Sequence, residues 1–424
     1  MEINASHLAA ARANLADASA SLVQLQQADF FATDWPARLA ELPDPILLLG
    51  NPPWVTSAEV GALGGRNLPT KSNFQGRRGL AARTGAANFD ISEWMLLHLL
   101  EAIQGRQATL AMLVKTAVAR RVLAHVWKQG WPVAEAELCA IDAPRHFDAA
   151  VSASLLVCRM LGTSAPKSGT QEGRADCFPD LQANAPTSSL GYRDGMLLSD
   201  VAAFDRWRHL QSSVQSPAGD TWRSGIKHDA ADVMELVRED GGWWNGLGEQ
   251  VEVEDSCLFP LIKGSELARG LKGDEAERRR LLVPQRTAAE DPIALRETAP
   301  LAWGYLNRHA ERMARRASSI YRARPAFSIF GVGPYTFAPA RVAIAGFARS
   351  LTFHVVGQVE GKPVVFDDTC ATLACDSLEE ALRRQRALHS PAAREFLTSQ
   401  IFWDAKRPIT IEVLRRLDWN AVAP

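Results

Sequence analysis

The chain has 424 residues, 47% of them hydrophobic and 22% charged, and a net charge of −1. That length calls for at least two hydrophobic cores, and the composition excludes a disulfide miniprotein, a disordered chain, a collagen, a coiled coil and a mucin. With no apolar run near the roughly 20 residues that span a bilayer, no signal-peptide pattern at the start, and six cysteines in neither a CxxC nor a zinc spacing, a cytoplasmic protein with no membrane partner and no metal is expected.

In chain order, Ala5–Ala20 reads as a helix of small residues and leucines. LVQLQQAD (Leu22–Asp29) and ILLLG (Ile46–Gly50) read as strands. Ile91–Ile103 has apolar residues at i, i+3, i+4 and i+7, and the apolar Thr109–Val114 follows it, a helix and then a strand. Glu137–Asp142 and Val151–Met160, joined by a short turn, are expected to pair as a closing antiparallel hairpin. This alternation predicts an α/β domain over residues 1–164. From Gly162 to Gly195 the chain turns rich in Gly, Ser, Pro and Ala, so 165–220 is expected to be a linker or irregular connection. Residues 221–424 mix short strands and helices and are expected to form an α+β domain.

The sharpest feature is Asn51-Pro52-Pro53-Trp54, directly after the ILLLG strand. α/β proteins place ligands at the carboxyl ends of their strands, and two prolines hold the turn rigid with the Pro52 carbonyl free to accept. The Asn51 side-chain carbonyl adds a second acceptor, and Trp54 a flat face. Two fixed acceptors and one aromatic face suit a planar amino group, such as the exocyclic amine of a base.

This motif resembles the catalytic turn of amino-directed methyltransferases, and its asparagine form resembles the gamma-class DNA adenine-N6 branch of restriction–modification type. The resemblance implies a Rossmann-like class I methyltransferase domain that uses S-adenosylmethionine and acts on double-stranded DNA, followed by a C-terminal target-recognition domain. Glu2, before HLAAARANL, is similar to the carboxylate that binds the cofactor ribose. Asp29-Phe30-Phe31 resembles the next motif, Asp29 accepting from the cofactor's adenine amino group and Phe30 packing on that ring. FDISEWMLLHLLEAI and TLAMLV resemble the helix and strand after the catalytic motif, and Phe147 matches the aromatic that stacks on the extruded base from its other side. Methyl transfer in this family is direct, with no covalent enzyme intermediate.

The family also carries a strand and an FxGxG loop ahead of the acidic motif, and no FxGxG precedes Glu2. The catalytic domain is therefore expected to be N-terminally truncated: the loop lies upstream, a second chain supplies it, or the donor site is crippled. A restriction endonuclease is the other expected protein partner. Two alternatives stay open, a DNA-binding specificity subunit without activity and a protein-glutamine methyltransferase.

The near-zero charge hides asymmetry. Arg66, Lys71, Arg77, Arg78 and Arg83 form a stretch without an acid, expected to touch phosphates near the flipped base. Lys263–Arg324 holds fourteen basic residues against eight acidic. Within it Arg315, Arg316, Arg322 and Arg324 are expected to meet DNA, at least one reading a guanine edge. Asp367-Asp368 reads as a polar turn, and His228 and His354 as structural.

Overall fold

A computed structural model describes residues 1–15, 23–56, 90–162, 172–212, 221–271 and 275–422. They divide into two compact units, Met1–Val201 and Ala202–Pro424. Among them no helix is long and apolar enough to cross a membrane.

The first unit is built on a seven-stranded mixed sheet. Its strands are β1 (Ile46–Gly50), β2 (Gln107–Lys115), β3 (Glu135–Ile141), β4 (Ala153–Leu161), β5 (Gly173–Phe178), β6 (Ser188–Arg193) and β7 (Met196–Leu198), in the spatial order β1-β2-β4-β3-β5-β6-β7. β1 runs parallel to β2, with Leu48 opposite Leu110 and Gly50 opposite Met112. β4 lies antiparallel between β2 and β3.

Helices cover the sheet where the sequence sets apolar residues at helical spacing. These are α1 (Ala5–Asn14), α2 (Trp35–Ala40), α3 (Ile91–Ala102), α4 (Thr116–Gln129) and α5 (Ala143–Phe147). α3 buries Ile91, Leu96, Leu97, Leu99 and Leu100. α4 buries Val118, Val122, Leu123, Val126 and Trp127, and stops at Gly130, whose φ of 69° suits a residue without a Cβ. Arg106 braces the approach to β1, donating to the carbonyls of Leu39 and Leu42 and to Asp44.

Three expectations need correction. The stretch read as a connection contains β5, β6 and β7, which extend the first sheet beyond β3, and the unit boundary falls after Val201. Its glycines mark close packing instead of slack: a Cβ on Gly173 would sit 2.1 Å from the Trp127 ring, and one on Gly191 would sit 2.4 Å from Val201. β3 and β4 do pair antiparallel, but α5 separates them and the sheet continues past them, so they do not close it. Finally, of the segment read as a strand over Leu22–Asp29, residues 23–29 make a parallel bridge, Gln27 to Glu2, because no further strand flanks them among the described residues.

The second unit holds a six-stranded sheet, whose longer strands are Glu235–Glu239, Leu258–Ile262 and Arg279–Leu282, and a four-stranded sheet centred on Ala340–Ala345 and Cys370–Cys375. Tyr305 anchors the core beside the larger sheet. Its hydroxyl donates to the Val233 carbonyl at 2.7 Å and accepts from Asn245 at 2.9 Å. Asp367 accepts from the amide and hydroxyl of Thr369 and so shapes a turn.

Candidate active site

Asn51, Pro52, Pro53 and Trp54 leave β1 at its carboxyl end, on the side of the sheet where the parallel β2 also ends. The strand end is tightly seated, since a Cβ on Gly50 would lie 3.0 Å from the Met112 sulfur. Pro52 is buried while Asn51 and Pro53 are exposed. Trp54 is fixed by its indole Nε1, which donates to the Leu113 carbonyl at 3.2 Å.

The residues after Trp54 are held as firmly. The Ile91 amide donates to the Val55 carbonyl at 3.0 Å, and Thr56 and Asp90 form an antiparallel bridge. Asp90 precedes α3 without capping it through its side chain. Its carboxylate takes the Lys115 ammonium at 3.1 Å and the Ser92 hydroxyl at 2.6 Å, and its side chain is 6% exposed.

A cavity of about 570 Å³ opens beside the turn, lined by Asn51, Pro52 and Pro53 on one side and by Glu2, Phe30, Phe31 and Trp35 on another, with Met95, Leu99 and Met112 among the rest. The structure thus brings Glu2 and Phe30, both distant from the NPPW turn in sequence, to its side. The Phe30 ring packs on Trp35 at 4.7 Å and 44°, and Trp35 Nε1 donates to the Phe30 carbonyl. Asp29 is not a lining residue; its Oδ1 accepts the Phe31 amide at 2.9 Å and sets the turn that presents the two phenylalanines. Glu2 Oε1 accepts the Asn4 amide at 2.8 Å.

Phe147, at the end of α5, meets Trp54 edge to face, with ring centroids 5.7 Å apart. Sequence reasoning missed Trp35, Asp90 and Lys115. Two of these carried a signal: Lys115 ends an otherwise apolar strand, and Asp90 opens a helix.

The arginines fall into different situations. Arg66, Lys71, Arg77, Arg78 and Arg83 lie outside the described residues. In the second unit, Arg315 is exposed and 3.6 Å from Glu311, Arg322 is exposed, and Arg324 lies over the Phe330 ring. Arg316 does not fit the expectation of a DNA contact. Its guanidinium donates to the carbonyls of Met313 and Ser328 at 2.8 and 2.7 Å and stacks 3.7 Å from the Tyr321 ring centroid, because it closes the 316–328 loop from within.

No protein-family model matches the chain. Among solved structures it is similar to the type IIL restriction-modification enzyme MmeI in complex with DNA (TM-score 0.44, 12% identity, 83% of this chain and 44% of that one). It is also similar to the type IIG restriction endonuclease BpuSI (TM-score 0.35, 13% identity, 91% and 48%). The chain spans less than half the length of each. Among curated proteins, the type II methyltransferase M.NspV of Nostoc sp. (strain ATCC 29411 / PCC 7524) is 40% identical over 398 residues, 93% of this chain and 80% of the relative. With that identity sustained over nearly its whole length, the chain belongs to the type II methyltransferases of restriction–modification systems.

Proposed function

We propose that this chain is the methylating component of a DNA adenine-N6 methyltransferase that acts on a base extruded from the duplex. The observation that carries the reading is the NPPW turn at the carboxyl end of β1, opening on the cavity that also contains Glu2 and Phe30. The Asn51 side-chain oxygen and the Pro52 carbonyl accept the two N–H bonds of adenine N6. Adenine N6 is a poor nucleophile because its lone pair is delocalised into the ring, and these two acceptors localise that pair on nitrogen. Trp54 supplies one stacking face and Phe147 the other, offsetting the few kcal/mol, roughly, that extrusion costs.

The cavity suits the adenosine end of S-adenosylmethionine. In this reading Glu2, whose Oε1 accepts the Asn4 amide, takes the ribose hydroxyls and the Phe30 ring packs on the adenine, a reading supported by both residues lining the cavity. When bound, the cofactor supplies an electrophilic methyl group on a sulfonium centre. Nothing comparable is present for its methionine end among the described residues. β1 is the outermost strand of its sheet, with Leu47 and Leu49 at 63% and 72% exposure, and no glycine-rich loop lies beside it among the described residues. That open edge favours one second reading, a DNA-binding specificity subunit silent by itself.

Methylation in cells tests the proposal. DNA from cells expressing the chain with its genomic neighbours should contain N6-methyladenine by mass spectrometry, and DNA from cells expressing Asn51→Ala should not. Equal signal in both would remove Asn51 from the reaction.

A further inference from the structure

We propose that the half-buried Asp90–Lys115 ion pair is a positioning device that holds Trp54 in register with the base, an inference that rests on reading the NPPW turn as the base-holding site. The segment Trp54–Thr56 has two supports. On one side Trp54 Nε1 bonds Leu113 of β2, and on the other Val55 and Thr56 bond the Ile91 amide and Asp90 at the start of α3. Lys115, two residues beyond Leu113 on the same strand, reaches Asp90 at 3.1 Å and joins the supports.

The same corner ties down the chain after Phe147. The Thr116 amide donates to the Ser152 carbonyl at 2.9 Å, and the Thr116 hydroxyl lies 2.9 Å from that of Ser152 and 2.8 Å from that of Ser154. Lys115-Thr116 is therefore the junction between the segments that carry the two proposed stacking rings. An ion pair with its carboxylate buried and its ammonium half-buried contributes little net stability. What it adds is direction, because the ammonium fixes the carboxylate and with it the backbone at residue 90.

The experiment compares full-length wild type with Asp90→Asn, Lys115→Gln and Lys115→Arg, in whichever assembly methylates DNA. Asp90→Asn and Lys115→Gln are expected to slow single-turnover methyl transfer roughly ten- to a hundredfold, the scale of a small misplacement at a reacting centre. Duplex affinity should stay within about threefold, since phosphate contacts dominate it. Hydrogen exchange at the Ile91 amide and the Trp54 indole should quicken while β3–β4 amides keep their protection, and Lys115→Arg should restore both rate and protection. Unchanged exchange at Ile91 and Trp54 would overturn the inference, as would loosening of the whole sheet that arginine does not repair. If no assembly containing the wild type transfers a methyl group, the base-holding reading fails, and the exchange comparison on the chain itself still decides whether the pair holds the turn.

Discussion

Trp54 and Phe147 stand in contact, ring centroids 5.7 Å apart and planes at 68°. The proposed sandwich of a base between two rings needs about 7 Å, twice the ~3.5 Å of aromatic contact, so on that reading one ring has to move when the base enters. Trp54 is tethered through Leu113, whereas Phe147 ends a five-residue helix and is 47% exposed, so Phe147 is the ring expected to move. Trp54→Ala should weaken extrusion of a 2-aminopurine target, read by fluorescence, by about 1–3 kcal/mol of lost stacking. Phe147→Ala should cost less, because removing it also removes the need to open. A larger loss at Phe147 than at Trp54 would reverse these roles.

Asn51→Ala should lower tritium transfer to duplex DNA by at least roughly a hundredfold, as loss of a preorganised polar partner does elsewhere, while gel-shift affinity persists. Near wild-type transfer would sink the catalytic assignment.

Residues 1–424 alone should bind S-adenosylmethionine weakly or not at all by calorimetry. On the proposed reading Glu2 and Phe30 serve the adenosine end, but among the described residues no glycine-rich loop lies beside β1 for the methionine end. Adding an apolar strand with a glycine-rich loop, fused ahead of Met1, should restore affinity. Tight binding by the unextended chain would show that another segment already fills that role.

The basic residues should separate by salt titration. Neutralising Arg77 and Arg78 should weaken binding to all duplexes alike and lower the salt slope by roughly one to two. Substitution of the exposed Arg315 or Arg322 should leave folding intact and, where one meets a guanine edge, change the preferred site. Arg316→Ala should instead lower the melting temperature, since its bonds to Met313 and Ser328 are internal.

Acid should loosen the second unit in a defined direction. Burial pushes Glu235 up, but hydrogen bonds and charge from His228 and Lys263 outweigh it and hold the carboxyl below its usual range. A carboxylate with a depressed folded pKa contributes stability that is present above the unfolded pKa of about 4.3 and is lost as pH falls through the folded value. Lys263→Met should therefore destabilise by about 1–3 kcal/mol at neutral pH and by less at pH 3, measured by denaturant unfolding.

β1 and α3 were legible because one is an apolar run stopped by Gly-Asn-Pro-Pro and the other an unbroken helical repeat, and these two elements hold the NPPW turn. β5 to β7 were not, since small residues that permit close approach of Trp127 and Val201 look, in composition, like a connection. Glu2 and Phe30 were legible only through a resemblance. The Asp90–Lys115 pair depends on two strands and a helix meeting at one corner, which no local spacing encodes.

Leu47 and Leu49, on the strand that ends the sheet among the described residues, also bear on how the protein behaves in the test tube. Among the described residues that edge is an open row of backbone donors and acceptors flanked by exposed leucines, a template for strand pairing between molecules, so self-association should rise with concentration. A strand paired along that edge would remove the template, and light scattering across a concentration series with and without such a strand reads the difference.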